Sequence, residues 1–154
     1  MRPLRVYVDT SVFGGMFDTE YVESTRRFFR MFDEGRFRIA VSEQVEEEID
    51  PAPPEVKTFF RHRLPSLEYL GALPEIQKLA GLYLLRGVVG SGHQSDAIHI
   101  AYATAHKCDG VVSWNFKHMV KLSKCARFNM INAANDYPQV FIASPKEIED
   151  HERA

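Results

Sequence analysis

The chain has 154 residues, 45% of them hydrophobic, which is the usual size of one domain with enough apolar material to fill one core. Nineteen basic against twenty-one acidic residues leave a formal charge of -2, which excludes a protein that holds nucleic acid through a strongly basic overall field. Two cysteines without a C-x-x-C pairing point to neither a disulfide framework nor a zinc knuckle. A single domain over 1–154 in a reducing cytoplasm is therefore expected. With no basic-then-apolar leader and no membrane-length apolar run, export and membrane insertion are disfavoured.

In chain order, Arg5 to Asp9 alternates around Val6 and Val8 and runs into Thr10, Ser11 and Gly14-Gly15, which predicts a core strand ending in a turn, with Asp9 at its C-terminal end. Thr19 is a candidate cap for a helix through about Glu34. That helix carries Tyr21, Thr25, Phe28 and Phe32 on one stripe, Val22 and Phe29 beside it, and Gly35 as its stop. Phe37 to Val41 reads as a second strand. Ser42 then suits the N-cap of a short helix that must end before Pro51. Helices over roughly Glu55 to Leu64 and Pro74 to Arg86 follow, and then a glycine-rich loop from Gly87 to Gly92.

Ser95 is placed to cap a helix reaching about His106, with Asp96 in its first turn and Ile98, Ala101, Tyr102 and Ala105 recurring at helical spacing. Gly110 to Trp114 and Val140 to Ala143 are the remaining strands. Strands alternating with helices imply an α/β fold with a mainly parallel sheet and helices on both faces, in which sites form beyond the carboxyl ends of the strands.

No G-x-x-x-x-G-K-[ST] or G-x-G-x-x-G loop is present, and Asp9-Thr10-Ser11 lacks the second aspartate of a phosphoaspartate-forming phosphatase. His93, His99 and His106 match no zinc pattern, and His99 and His106 read as ordinary helix packing. No G-x-S-x-G elbow occurs, and neither cysteine has an evident catalytic partner. In the acidic run of the short helix, periodicity leaves Glu46 and Glu48 equally close to the face carrying Val45 and Ile49, while Glu47 points away.

Four segments in order, VDTSV at Val8 to Val12, SEQVEEEI at Ser42 to Ile49, SDAIHIAYA at Ser95 to Ala103 and VVSWNFKHM at Val111 to Met119, resemble the PIN domain family, in particular the VapC-type ribonuclease toxins of toxin-antitoxin pairs. The resemblance implies a three-layer α/β/α fold and a metal-dependent endoribonuclease. It carries over Asp9, Glu48 and Asp96 as ligands of Mg²⁺ or Mn²⁺ and Ser11 as a supporting hydroxyl, and it selects Glu48 over Glu46. Hard cations prefer such oxygen ligands and keep waters, one of which can become a nucleophile. The partners implied are an RNA substrate, a small antitoxin protein and a second copy of the chain in a homodimer, to which the apolar stretch Leu79 to Leu85 also points.

Asn115 stands where many of the family carry a fourth acidic residue. It supplies a carbonyl oxygen but no charge, so it weakens a second metal position and is cast as a residue that orients a water or a phosphate oxygen. Lys117, His118, Lys121, Lys124 and Arg127 form a local basic segment. Beside the site this suits phosphate contact as well as it suits a solvated face, and Lys117, His118 and Lys121 are the candidate RNA-binding residues. Trp114 and Phe116 are assigned to the core. The alternative function is a catalytically weak PIN-like module that binds RNA or protein.

Overall fold

A computed structural model describes residues 2–153 of the chain. Five strands form a sheet in the order β3-β2-β1-β4-β5, with β1 at Leu4–Val8, β2 at Phe37–Ser42, β3 at Glu68–Leu70, β4 at Gly110–Val112 and β5 at Phe141–Ala143. Every neighbouring pair is parallel, so the sheet is parallel throughout. Helices connect the strands, α1 at Thr10–Gly15, α2 at Val22–Asp33, α3 at Glu43–Ile49, α4 at Pro54–Arg63, α5 at Pro74–Leu85, α6 at Gln94–Ala105 and α7 at Leu122–Ala134, and α8 at Pro145–Arg153 follows the last strand.

Consecutive strand residues point to opposite faces, and Val6, Tyr7 and Val8 are all 0% exposed, so helices cover the sheet on both sides. The strand order turns at β1, which pairs with β2 on one edge and β4 on the other. The carboxyl ends of β1 and β4 therefore form the switch point of the sheet, the place where α/β folds put ligands.

Several boundaries depart from those expected. The Gly14-Gly15 stretch is helical rather than a turn, because Asp9 caps α1 through the Ser11 backbone N–H. Gly15 cannot be larger: a Cβ there would lie 2.6 Å from Thr25 Oγ1 and 2.8 Å from Trp114 Nε1. Thr19 does not cap α2, which starts at Val22 without a side-chain cap. The predicted stop holds, with Gly35 at φ +78°. Ser42 occupies the N-cap position of α3 but makes no capping bond, since its hydroxyl is turned to Tyr7. The α6 helix begins one residue before Ser95, with His93 at the N-cap position.

Candidate functional site

Asp9 directly follows β1 at the carboxyl end of the sheet and is 4% exposed. Its Oδ1 accepts from Ser11 Oγ at 2.6 Å and Ser11 N at 3.1 Å, and its Oδ2 accepts from Ser113 Oγ at 2.6 Å. Each serine oxygen in turn accepts a backbone N–H from the segment after β4, Trp114 N on Ser11 and Asn115 N on Ser113, both at 2.9 Å. The two hydroxyls thus bind the ends of β1 and β4 together around one carboxylate. Burial pushes the Asp9 carboxyl above its usual range; His99 and the two serines oppose the rise, and the charge of Glu48 adds to it.

Asp96 projects from the first turn of α6, where the helix dipole favours an anion. It too is raised, first by burial and then by the Asp9 carboxylate, with a further push from Glu48. Asn115 Nδ2 donates to Asp96 Oδ2 at 3.2 Å, while Asn115 Oδ1 accepts from His118 N at 3.0 Å. Asn115 is therefore part of the same cluster, holding the aspartate on one side and its own loop on the other.

On α3 the two glutamates that periodicity left open part company. Glu46 Oε1 accepts from Tyr69 Oη at 2.7 Å at the sheet edge, and Glu47 is exposed. Glu48 turns inward: Oε1 accepts from Thr10 Oγ1 at 2.8 Å and lies 3.0 Å from His99 Nε2, and Oε2 accepts from Gln44 Nε2 at 2.6 Å. Burial would raise this carboxyl, but His99, Gln44 and Thr10 outweigh it and leave it below its usual range.

Two side chains of this cluster have no place in the expected site. Ser113 ends the β4 run two residues before Asn115, and its role depends on β4 lying beside β1. His99 was read as packing; it is one helical turn beyond Asp96 on the same face, the one signal in the sequence that places it here. Trp114 is core, stacked on Tyr21 at 4.3 Å, but Phe116 is 43% exposed, against the core assignment. The basic segment also divides. Lys124 Nζ donates to the Val88 carbonyl and Arg127 to Arg86 O at 3.1 Å, tying α7 to the loop after α5. Lys117 and Lys121 are exposed, and the half-buried His118 stacks on His93 with ring centroids 3.7 Å apart.

The donors suit a hard divalent cation in kind: three carboxylates from three elements, each repelling the others. Their placement is more open. Among the described residues no three His, Cys, Asp or Glu side chains form a ready ion cage, and hydroxyl, amide and imidazole groups are the present partners of Asp9 and Glu48.

No protein-family profile and no curated protein matches the sequence. Among solved structures, the chain is similar to one chain of the crystal structure of VapBC2 from Rickettsia felis bound to a DNA fragment from their promoter. The TM-score is 0.60 over 92% of this chain and 98% of that one, at 14% identity. The likeness is one of fold. It bears out the α/β, PIN-like architecture expected from the sequence, with a sheet that is wholly rather than mainly parallel. Among the described residues, no helix is long and apolar enough to cross a membrane.

Proposed function

We propose that the chain is a single-domain, metal-dependent endoribonuclease, the toxin of a toxin-antitoxin pair, acting in the cytoplasm. The observation that carries this is the gathering of Asp9, Glu48 and Asp96, 39 and 48 residues apart in sequence, at the switch point of the sheet, where Ser113, His99 and Asn115 hold one each and where the charge of Glu48 adds to the rise of both aspartates. The fold shared with a VapBC2 chain supports the toxin reading, together with a small antitoxin and a second copy of the chain as partners.

In this reading Asp9, Glu48 and Asp96 hold Mg²⁺ or Mn²⁺, which when bound supplies an activated water and stabilises charge on the phosphate. Ser11 and Ser113 fix the Asp9 carboxylate so that little side-chain freedom is lost on binding. Asn115 keeps Asp96 oriented. To Lys117, His118 and Lys121, in the segment between Asn115 and α7, the same reading gives contact with phosphates, since point charges position a phosphate backbone without reading its sequence.

A second reading, an RNA- or protein-binding module with weak catalysis, draws on the open placement of the carboxylates and the uncharged Asn115. Cleavage of a mixed single-stranded RNA with Mn²⁺ separates the two. Activity that chelation removes and that Asp9→Asn abolishes supports the nuclease; RNA binding without cleavage under the same conditions selects the module.

A further inference from the structure

His99 is 2% exposed and carries two polar ring atoms that burial obliges to find partners. Nδ1 lies 2.7 Å from Tyr7 Oη, and Tyr7 Oη lies 2.7 Å from Ser42 Oγ. On the other side Nε2 faces Glu48 Oε1 at 3.0 Å. The direction of each bond follows from what each group can do. Glu48 takes donors on both oxygens, Thr10 on Oε1 and Gln44 on Oε2, so it is a carboxylate and only accepts; the Nε2 that faces Oε1 therefore carries a hydrogen. Nδ1 of that ring accepts from the Tyr7 hydroxyl, whose oxygen accepts from Ser42. One directed chain thus runs from β2 through β1 and α6 to α3.

The chain has a consequence for Glu48. Each carboxylate oxygen has room for about two hydrogen-bond partners. Oε1 has both, Thr10 and His99, whereas Oε2 has only Gln44. We propose that His99 is a positioning residue that, by filling Oε1, leaves Oε2 as the Glu48 atom turned to a divalent cation held with Asp9 and Asp96. This rests on the metal-site reading above. Without the ring, only Thr10 and Gln44 hold a half-buried glutamate near the end of a seven-residue helix, and it regains rotamer freedom. Partners that orient a ligand in this way typically contribute about 10–100-fold in metal affinity.

Calorimetric titration of Mn²⁺ into the intact chain tests this with two variants. His99→Gln places an amide N–H₂ where Nε2 stands, keeping the donor to Glu48 and losing Tyr7. His99→Asn reaches Tyr7 but not Glu48. We expect His99→Gln to keep near-wild-type affinity and His99→Asn to bind about 10–100-fold more weakly. A merely structural role of the buried ring would weaken both in step with their melting temperatures, and that result, or equal affinity in all three proteins, overturns the proposal while the metal site stands. A wild type that takes up no Mn²⁺ overturns the metal-site reading and the proposal with it. Should the variants not fold, nitrogen-15 NMR of the wild-type imidazole without metal still decides: a hydrogen on Nε2 is expected, and a bare Nε2 overturns the proposal.

Discussion

Ser113→Ala removes one oxygen that does two jobs. The hydroxyl donates to Asp9 Oδ2 at 2.6 Å and accepts the Asn115 N–H at 2.9 Å, at a position 0% exposed. Its loss removes a hydrogen bond to a charged group and strands a backbone donor where water does not reach, at a combined cost of about 3 kcal/mol. For a chain of this length that corresponds to a melting temperature lower by roughly 6–12 °C. Thermal unfolding in chelator measures it without reference to any metal. The loss should also depend on pH. The Ser113 bond lowers the Asp9 carboxyl, so the variant's Asp9 titrates higher still. The gap between variant and wild type is therefore full above the raised Asp9 range and narrows as pH falls through it. A melting temperature unchanged from wild type at neutral pH would refute the clamp, and a gap independent of pH would refute the assignment of the bond to the ionised Asp9.

Much of the fold was legible because periodicity and punctuation agree in the long elements. The β1 run, the aromatic stripe of α2 with its stop at Gly35, and the alanine-rich α6 each state their own burial. What was hidden are elements that tertiary contacts create. The three-residue β3 has no pattern of its own and exists because Ala40 to Ser42 offer it a parallel edge. The α1 helix breaks the rule that paired glycines mark a turn, because Asp9 caps it through the Ser11 N–H and Trp114 needs the space that Gly15 leaves. Ser42 was assigned by propensity to a cap, but a buried tyrosine hydroxyl had the stronger claim on it.

The site shows the same division. Asp9, Asp96 and Asn115 are legible because each stands at a strand end or a first helical turn, positions that a one-dimensional reading locates. Glu48 needed more than periodicity, which could not tell it from Glu46; the structure separates them by what lies opposite, Thr10 and His99 for one, Tyr69 for the other. Ser113 and His99 act across long sequence separations, on Asp9 and Glu48 respectively; no local pattern announces Ser113, and only the one-turn spacing from Asp96 hints at His99. The basic segment reads as uniform in sequence, yet two of its members are used up on backbone carbonyls.

Glu47→Gln should leave Mn²⁺-dependent cleavage unchanged, since Glu47 is exposed, whereas Glu48→Gln should abolish it; the reverse order in an RNA cleavage assay would show that α3 presents another face. Asn115→Asp puts a charge beside Asp96 in place of a donor and should tighten Mn²⁺ binding by added Coulomb attraction; calorimetry giving identical affinity and stoichiometry would place Asn115 outside the cluster. Light scattering should give a dimer mass at micromolar concentration, and Met130→Asp, at a position 72% exposed on α7, tests whether that face forms the contact. The last expectation sets two carboxylates of one site against each other in the metal-free protein. Asp96 is raised in the folded state, so its ionisation opposes folding: the cost is absent below the unfolded carboxylate range and complete above the folded value. Glu48 is lowered, so its ionisation favours folding: the gain is complete above the unfolded range and disappears as pH falls through the folded value. At neutral pH Asp96→Asn should therefore raise the melting temperature and Glu48→Gln should lower it, with both differences shrinking in acid. Saturating Mn²⁺ stabilises only a folded chain that binds it, so it should raise the wild-type melting temperature and leave Asp96→Asn almost unmoved. If the two variants shift in the same direction, Glu48 is not the paired anion that His99 and Thr10 imply, and the opposition between a strained aspartate and a satisfied glutamate does not exist.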